Sequence, residues 1–415
     1  MKFFINSYFG DSQSIGLLSH IKKRLPYGMD DQWMVFSHYT ERGWTVDNLW
    51  HIFTDFYGGQ YAPLAFLSYL VLYAGFGYDP FYFHMFSLLL HIGCVCLVWK
   101  LISSLLRVHG GVSEKQILYV NFITTLLFAV HPINVEAVAW ISALKVLLYA
   151  FFYLLGLLCY LRYIRTSKIF YYVLTIGCFL CSFWGKEQAV TFPLALLIVD
   201  WFTNRNMKNL EVWSEKMSFL IMAFFFGIIT VLSQGKGPYE MIFPLYQRLL
   251  FGCFALVEYI TKSLLPVNLN FFYPFPIVLG EEPPLHYYLY PVVLLFLMGW
   301  IIAYRNNRYL VFGVLLFLVN LLFSIHLFNM SRHAIVADRY MYLSYVGIAF
   351  LIANGIWWLR KRLSYFKAAL VFLFFYCFFL SVYTFHYTKK WENTTMVKKY
   401  TKEVLEKRLN GSNHL

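Results

Sequence analysis

The chain has 415 residues, of which 60% are hydrophobic, 21% aromatic and only 13% charged, with a mean hydropathy of +0.58. A water-soluble domain carries about 25% charged residues, so a soluble core is excluded, and several stretches approach or exceed the ~20 apolar residues that span hydrocarbon. The net charge of +13 lies mostly in short loops between apolar runs, which fits orientation by the positive-inside rule better than a nucleic-acid partner.

The class expected from this pattern is an all-α polytopic membrane protein. The ~10-residue alternating segments of transmembrane strands are not seen. Residues 1–26 hold no apolar run long enough for a cleavable signal peptide, and Lys22, Lys23 and Arg24 come late. Residues 27–63 form a polar first loop with Asp30, Asp31, Glu41, Asp47 and Asp55, a concentration in a chain of 21 acids. Trp33, Trp44, Trp50 and Tyr57 bracket it, side chains suited to a membrane surface. Residues 62–78 either lie at the interface or span weakly, and Asp79-Pro80 is a break.

Spans are predicted over 82–106, 116–130, 145–161, 169–184, 189–202 and 217–233. His131-Pro132 stops the second of these, 134–143 is a loop or the lead-in to a helix, and 185–188 is a tight polar turn. After a turn at 235–238, residues 243–265 are apolar but carry Arg248, Glu258 and Lys262, so a non-crossing or interfacial helix is expected. A Pro-rich aromatic loop covers 267–286. Further spans are predicted over 287–304, 309–328, 341–359 and 368–385, with a polar loop at 329–339. The sum is about ten to eleven transmembrane helices in one membrane domain, 1–388, followed by a short polar tail, 389–415. The seven cysteines lie in or near apolar runs and read as small core residues rather than disulfides or metal ligands.

Basic clusters fall at 107–115, 162–168, 205–216, 305–308 and 360–367. If all five face the cytoplasm, the acidic first loop is non-cytoplasmic and shares its face with 131–140, 185–188, 329–339 and the tail. Lys22–Arg24 and the basic tail then run against the charge rule; if 62–78 crosses, the acid pair changes side.

That face gathers Asp30, Asp31, His131, Glu136, Lys145, Lys186, Glu187, Arg332, His333, Asp338 and Arg339. A carboxylate can take the proton of an acceptor hydroxyl, and cations can stabilise charge growing on a departing phosphate, with Arg able to bind two oxygens at once. No GxGxxG or GxxxxGK[ST] is present, which fits a donor carried on lipid rather than on a nucleotide. Each group also has a plainer reading: a solvated acid pair, a helix stop at His131-Pro132, a self-neutralising Lys186-Glu187 pair, and an interfacial anchor at Arg339. His84 and His91 lie seven apart on one helix and read as a core pair, since no Cys or carboxylate completes a metal set.

Several motifs together resemble one family. They are Tyr61-Ala62-Pro63-Leu64, Tyr82-Phe83-His84 with His91, the run from His131-Pro132 through Val135-Glu136-Ala137-Val138-Ala139-Trp140-Ile141-Ser142, Gly185-Lys186-Glu187-Gln188-Ala189-Val190-Thr191, and Ala337-Asp338-Arg339-Tyr340-Met341-Tyr342-Leu343. In this combination and order the chain, over roughly 27–390, resembles the transmembrane and tetratricopeptide-repeat proteins. That family is similar to the protein O-mannosyltransferases and belongs to the GT-C class of polyprenyl-phosphate-dependent glycosyltransferases. The resemblance implies a GT-C-like bundle with a lumenal or periplasmic active site. It implies a catalytic base at Asp30 or Asp31, and a donor-phosphate pocket lined by Lys186, Glu187 and Arg339. The reading of the residues themselves adds Arg332 to that pocket, with His131, Glu136 and Lys145 in support. Where the family often reads Gly-Arg-Lys-Asp, this chain reads Ala143-Leu144-Lys145-Val146. The family's long repeat domain is not expected in 391–415, which is too short for the three repeats that stable stacking needs.

Three functions stay open on the sequence. The first is an inverting glycosyltransferase taking a polyprenyl-phosphate-linked sugar to a protein or glycan hydroxyl, in a bacterial inner membrane or its equivalent. It needs no cofactor beyond the lipid-linked donor, and a divalent metal is compatible but not indicated. The second is a lipid or sugar flippase, which would need mid-membrane charges and inverted repeats. The third is a non-catalytic subunit of an envelope or secretion complex that keeps the scaffold and a membrane partner.

Overall fold

The computed structural model describes residues 31–234, 243–326, 334–392 and 394–412. Among them helices are the only extended regular elements, with two isolated β-bridges, Tyr57–Gln60 and Tyr273–Val336. The α-helices of five or more residues are α1 (Val46–Thr54), α2 (Pro63–Phe76), α3 (Pro80–His109), α4 (Glu114–Val130), α5 (Val135–Ala139), α6 (Leu144–Thr166), α7 (Ile169–Gly185), α8 (Phe192–Phe202), α9 (Leu210–Gln234), α10 (Leu245–Leu264), α11 (Leu289–Ala303), α12 (Arg308–Leu321), α13 (Met341–Trp358), α14 (Leu363–Thr388) and α15 (Thr394–Ser412).

Their ends follow the chemistry of the chain. Asp79 caps the start of α3 through Phe81 N–H, with Pro80 at the first helical position. Ser113 caps α4 and Asn307 caps α12 in the same way. At the end of α4, Pro132 cannot continue the ladder. His131 closes the helix, and its ring Nδ1 accepts the Ile133 N–H at 3.2 Å. The chain then bends by 51° between α4 and the segment Pro132–Ala139.

Among the described residues six helices are long and apolar enough to cross a membrane, or seven if the bent α4–α5 pair counts as one span. Three more apolar helices, α2, α7 and α12, are shorter, at 14 to 17 residues. The expected ten to eleven spans thus meet six or seven by length. The predicted span over 309–328 ends as helix at Leu321, and that over 189–202 begins as a 3-10 turn before α8.

Helix α6 lies at the centre, packed by α3 and α7, while α13 packs between α12 and α4. Two close approaches depend on glycine. A Cβ on Gly185 would meet Tyr149 N at 2.8 Å, and one on Gly347 would meet Gly313 O at 2.5 Å. Small residues let apolar helices meet backbone to backbone in this way. On the outside, α11 and α14 turn Phe296, Phe372 and Phe374 outward, at 76%, 71% and 69% exposure, as lipid-facing surfaces do.

Short connections make successive helices antiparallel, so the bundle has two unlike ends. His109 packs on Phe202 and Tyr309, Tyr163 donates to Glu215, and Tyr119 packs on Phe366, contacts that draw the basic segments 107–115, 162–168, 205–216, 305–308 and 360–367 toward one end. Not all of their charge is free: Lys216 is fully buried, 2.5 Å from Asp200, and Arg205 joins Asp200 at 3.1 Å and Glu215 at 2.6 Å. The other end carries the first loop, the α4–α6 connection, the starts of α8 and α13, and α15.

Two further helices make contacts at this second end. For α2, Tyr61 just ahead of it packs on Phe183, Tyr69 Oη–H donates to Ile141 O, and Tyr78 just past it donates to Glu41. For α10, Ala337 N–H donates to Tyr259 Oη, Lys262 lies over Tyr273, and Tyr376 donates to Leu264 O. The α2 contacts run to the first loop, the α4–α6 connection and the end of α7, whereas the end of α10 meets α14 midway, at Tyr376.

Candidate active site

The α4–α6 connection builds the floor of the site. Asn134 in its first turn donates to Phe128 O, and α5 then projects Glu136, which is fully buried. Across from it, Asp338–Tyr340 forms a 3-10 turn leading into α13. The Arg339 backbone N–H donates to Glu136 Oε2 at 2.7 Å, and its guanidinium donates to Glu136 Oε1. Arg339 is also 5.3 Å from the Trp140 ring centre and 5.1 Å from that of Tyr340.

Lys186 reaches the same ring from the other side of the fold. It follows Gly185 in extended backbone, is buried, and places Nζ 5.3 Å from the Tyr340 ring centre and 3.9 Å from Glu187 Oε1. The two cations, 153 residues apart in the numbering, thus both lie within 5.3 Å of the Tyr340 ring centre. Glu136 lies within electrostatic reach of both.

The first loop docks beside this cluster. Asp31 is buried, and its Oδ1 accepts both the Ser142 N–H, at 3.0 Å, and the Ser142 hydroxyl. Ser142 is two residues from Trp140, so the loop is pinned next to the ring that backs Arg339. One turn on, Lys145 Nζ donates to Gln60 Oε1 and contacts Met34 Sδ at 3.6 Å. Lys145 therefore clamps both ends of the first loop to α6. Within the loop, Asp55 accepts from Tyr39 Oη at 2.9 Å and pairs with His51 Nδ1 at 3.1 Å. Burial acts to raise the Asp55 pKa, but the hydrogen bonds from Tyr39 and His51 hold it below the usual carboxylate value.

Of the residues expected at the site, Asp31, Glu136, Lys145, Lys186, Glu187 and Arg339 stand around this end, while Asp30 and Arg332, with His333, lie outside the described residues. His131 serves the backbone turn, with its ring 4.2 Å from that of Tyr345. Asp338, next to Arg339, turns away and accepts both carboxylate bonds from Tyr273 Oη, at 2.9 and 3.0 Å. His91 pairs with Tyr342 Oη at 2.7 Å in the core. Among the described residues no three His, Cys, Asp or Glu side chains gather as a metal group.

Trp140, Ser142 and Tyr340 carry the geometry yet had no role in the sequence reading. All three lie inside motifs that were singled out, but nothing in one dimension says that a ring joins two cations. The C-terminal segment is a second departure. Polar in composition, it nevertheless packs: Trp391 and Val397 meet Trp140, Val135 and Leu269 in a small core of their own.

Comparison with known proteins meets the resemblance drawn from the motifs. The chain is 32% identical over 189 residues to protein O-mannosyl-transferase TMTC2 of Mus musculus, covering 41% of this chain and 21% of that protein. It is 30% identical over 203 residues to tmtc2 of Xenopus laevis, covering 45% and 23%. It is 31% identical over 167 residues to TMTC4 of Homo sapiens, covering 35% and 22%. The matches span about a fifth of the length of these relatives. No family model and no solved structure matches.

Proposed function

We propose that this chain, similar to the protein O-mannosyl-transferases, is a membrane glycosyltransferase of the GT-C type, moving a sugar from a polyprenyl-phosphate donor to a protein Ser or Thr hydroxyl. The observation that carries the reading is the pairing of Lys186 and Arg339 on the Tyr340 ring beside Glu136. Two cations next to one aromatic ring suit a phosphate monoester, and a fork-shaped guanidinium can take two of its oxygens.

In the inverting reaction the acceptor oxygen attacks the anomeric carbon, and the bond from that carbon to the phosphate oxygen breaks. The hydroxyl proton passes to a carboxylate of the acid pair. The electron pair leaves with the phosphate, whose growing charge Lys186 and Arg339 stabilise. Because Asp31 is already committed to Ser142, we assign it to holding the loop and Asp30 to taking the proton. Glu187 stands beside Lys186 in this reading, His131 supports the α4–α6 turn, and Arg332 keeps its assignment as a further donor-phosphate cation. Lys145 holds the loop that brings the base.

The chain would cross the bilayer ten times: six long helices, the α4–α5 pair, and α7, α8 and α12. Helices α2 and α10 would lie in the interface, and the site would face away from the cytoplasm, opposite the basic end. The exposed Trp44 and Trp50 of the first loop, at 56% and 67%, would seat in the headgroup region.

The test is release of polyprenyl phosphate from a labelled polyprenyl-phosphate mannose by purified protein with an acceptor peptide. Wild type should release it, and Asp30→Asn with Asp31→Asn should abolish release while helix content is kept. Normal transfer by that double variant removes the mechanism. Donor movement across vesicles without cleavage would favour the flippase reading.

A further inference from the structure

We propose that the C-terminal helix α15 and the turn before it are positioning elements for Arg339, with Thr401 and Trp391 as the residues that transmit their hold. This deepens the donor-phosphate reading and rests on it only for its functional readout. Two separate routes run from this segment to the same guanidinium.

The first route is polar. Thr401, 1% exposed, donates its hydroxyl to Asn270 Oδ1 at 2.9 Å, the same oxygen that accepts Phe271 N–H. The Asn270 backbone N–H donates to Tyr273 Oη at 2.7 Å, and Tyr273 Oη–H in turn donates to Asp338. The Ile335 N–H also donates to Tyr273 O at 2.9 Å, which ties the strand of chain entering the Asp338–Tyr340 turn to the same loop. Asp338 is fully buried and adjacent to Arg339, so its carboxylate fixes the backbone from which the guanidinium projects.

The second route is aromatic. The Trp391 ring lies 6.3 Å from Trp140 and 6.0 Å from Phe271, and Trp140 is the ring on which Arg339 rests. Tyr387 and Tyr400 pack at 6.0 Å and close the same cluster. A solvated tail would bury none of these side chains. Both routes end on Arg339, from the backbone side through Asp338 and from the ring side through Trp140. Whatever grips or releases α15 therefore changes how firmly the donor-phosphate cation is held.

The experiment uses the full chain in detergent micelles. Amide exchange is followed over residues 335–341, and binding of a short-chain polyprenyl phosphate is followed by tryptophan fluorescence. Thr401→Val and Trp391→Ala should each speed exchange at 335–341, leave α3 unchanged, and weaken binding about three- to tenfold, the worth of one hydrogen bond. Thr401→Ser, which keeps the hydroxyl, should behave as wild type. Unchanged exchange at 335–341 in both variants overturns the proposal. Faster exchange in a chain whose wild type binds no polyprenyl phosphate supports the coupling and removes the donor reading instead.

Discussion

Arg339 serves two masters, the Glu136 carboxylate it already holds and the phosphate proposed for it. Removing one member of a buried pair leaves the other uncompensated, at a cost of about 3–5 kcal/mol. Glu136→Ala should therefore lower thermal stability in micelles strongly, and an unchanged melting temperature would show that the pair is not a fixed part of the fold. Arg339→Lys keeps charge but loses the fork. It should fold and bind polyprenyl phosphate ~10-fold more weakly, with the loss read in KM for the donor. The plainer sequence reading of Arg339, an interfacial anchor, predicts no such loss. Asp55 carries the pH dependence of the first loop. Its folded pKa lies below the unfolded value of about 3.9, so its contribution is present above that value and is lost as pH falls through the folded one. Amide exchange of residues 46–61 should rise below about pH 4, and Tyr39→Phe should shift that rise to higher pH by removing one donor.

At the scale of elements, the site depends on how closely α6 and α7 approach. Gly185 sits where α7 ends against the Tyr149 backbone, and Lys186 follows directly. Overpacking a filled site costs about 1–3 kcal/mol, so Gly185→Val should lower the melting temperature and displace Lys186 from Tyr340. Phosphate binding should then fall even where the variant folds. Most element positions were legible in the sequence, because long apolar runs bounded by Pro, Asp and basic clusters admit little else. The exceptions have physical causes. The run 62–78 is ambiguous by hydropathy, and its tyrosines bond to the first loop and the α4–α6 connection, partners that no local pattern names. The C-terminal stretch is polar in composition, but its few apolar residues fall on one face and meet Trp140.

Across the whole molecule, the two ends divide the charges by task. A membrane-impermeant thiol reagent offers the test, with cysteines at Asp47, whose side chain is 77% exposed, and Glu114, at 72%. Asp47→Cys should be labelled from the side opposite Glu114→Cys; labelling from one side would undo the shared-face arrangement of the first loop. Ser37, in the same loop, is buried and would not report. By itself the sequence determined the class, the order of the helices, and the motifs that hold Glu136, Lys186 and Arg339, because hydropathy, helix stops and residue type are local properties. Only the tertiary structure decided that Lys186 and Arg339 share Tyr340, that Asp31 locks onto Ser142, and that the C-terminal helix closes over Trp140. Those contacts join residues tens to hundreds of positions apart, and their geometry is set by the packing of helices rather than by any spacing along the chain.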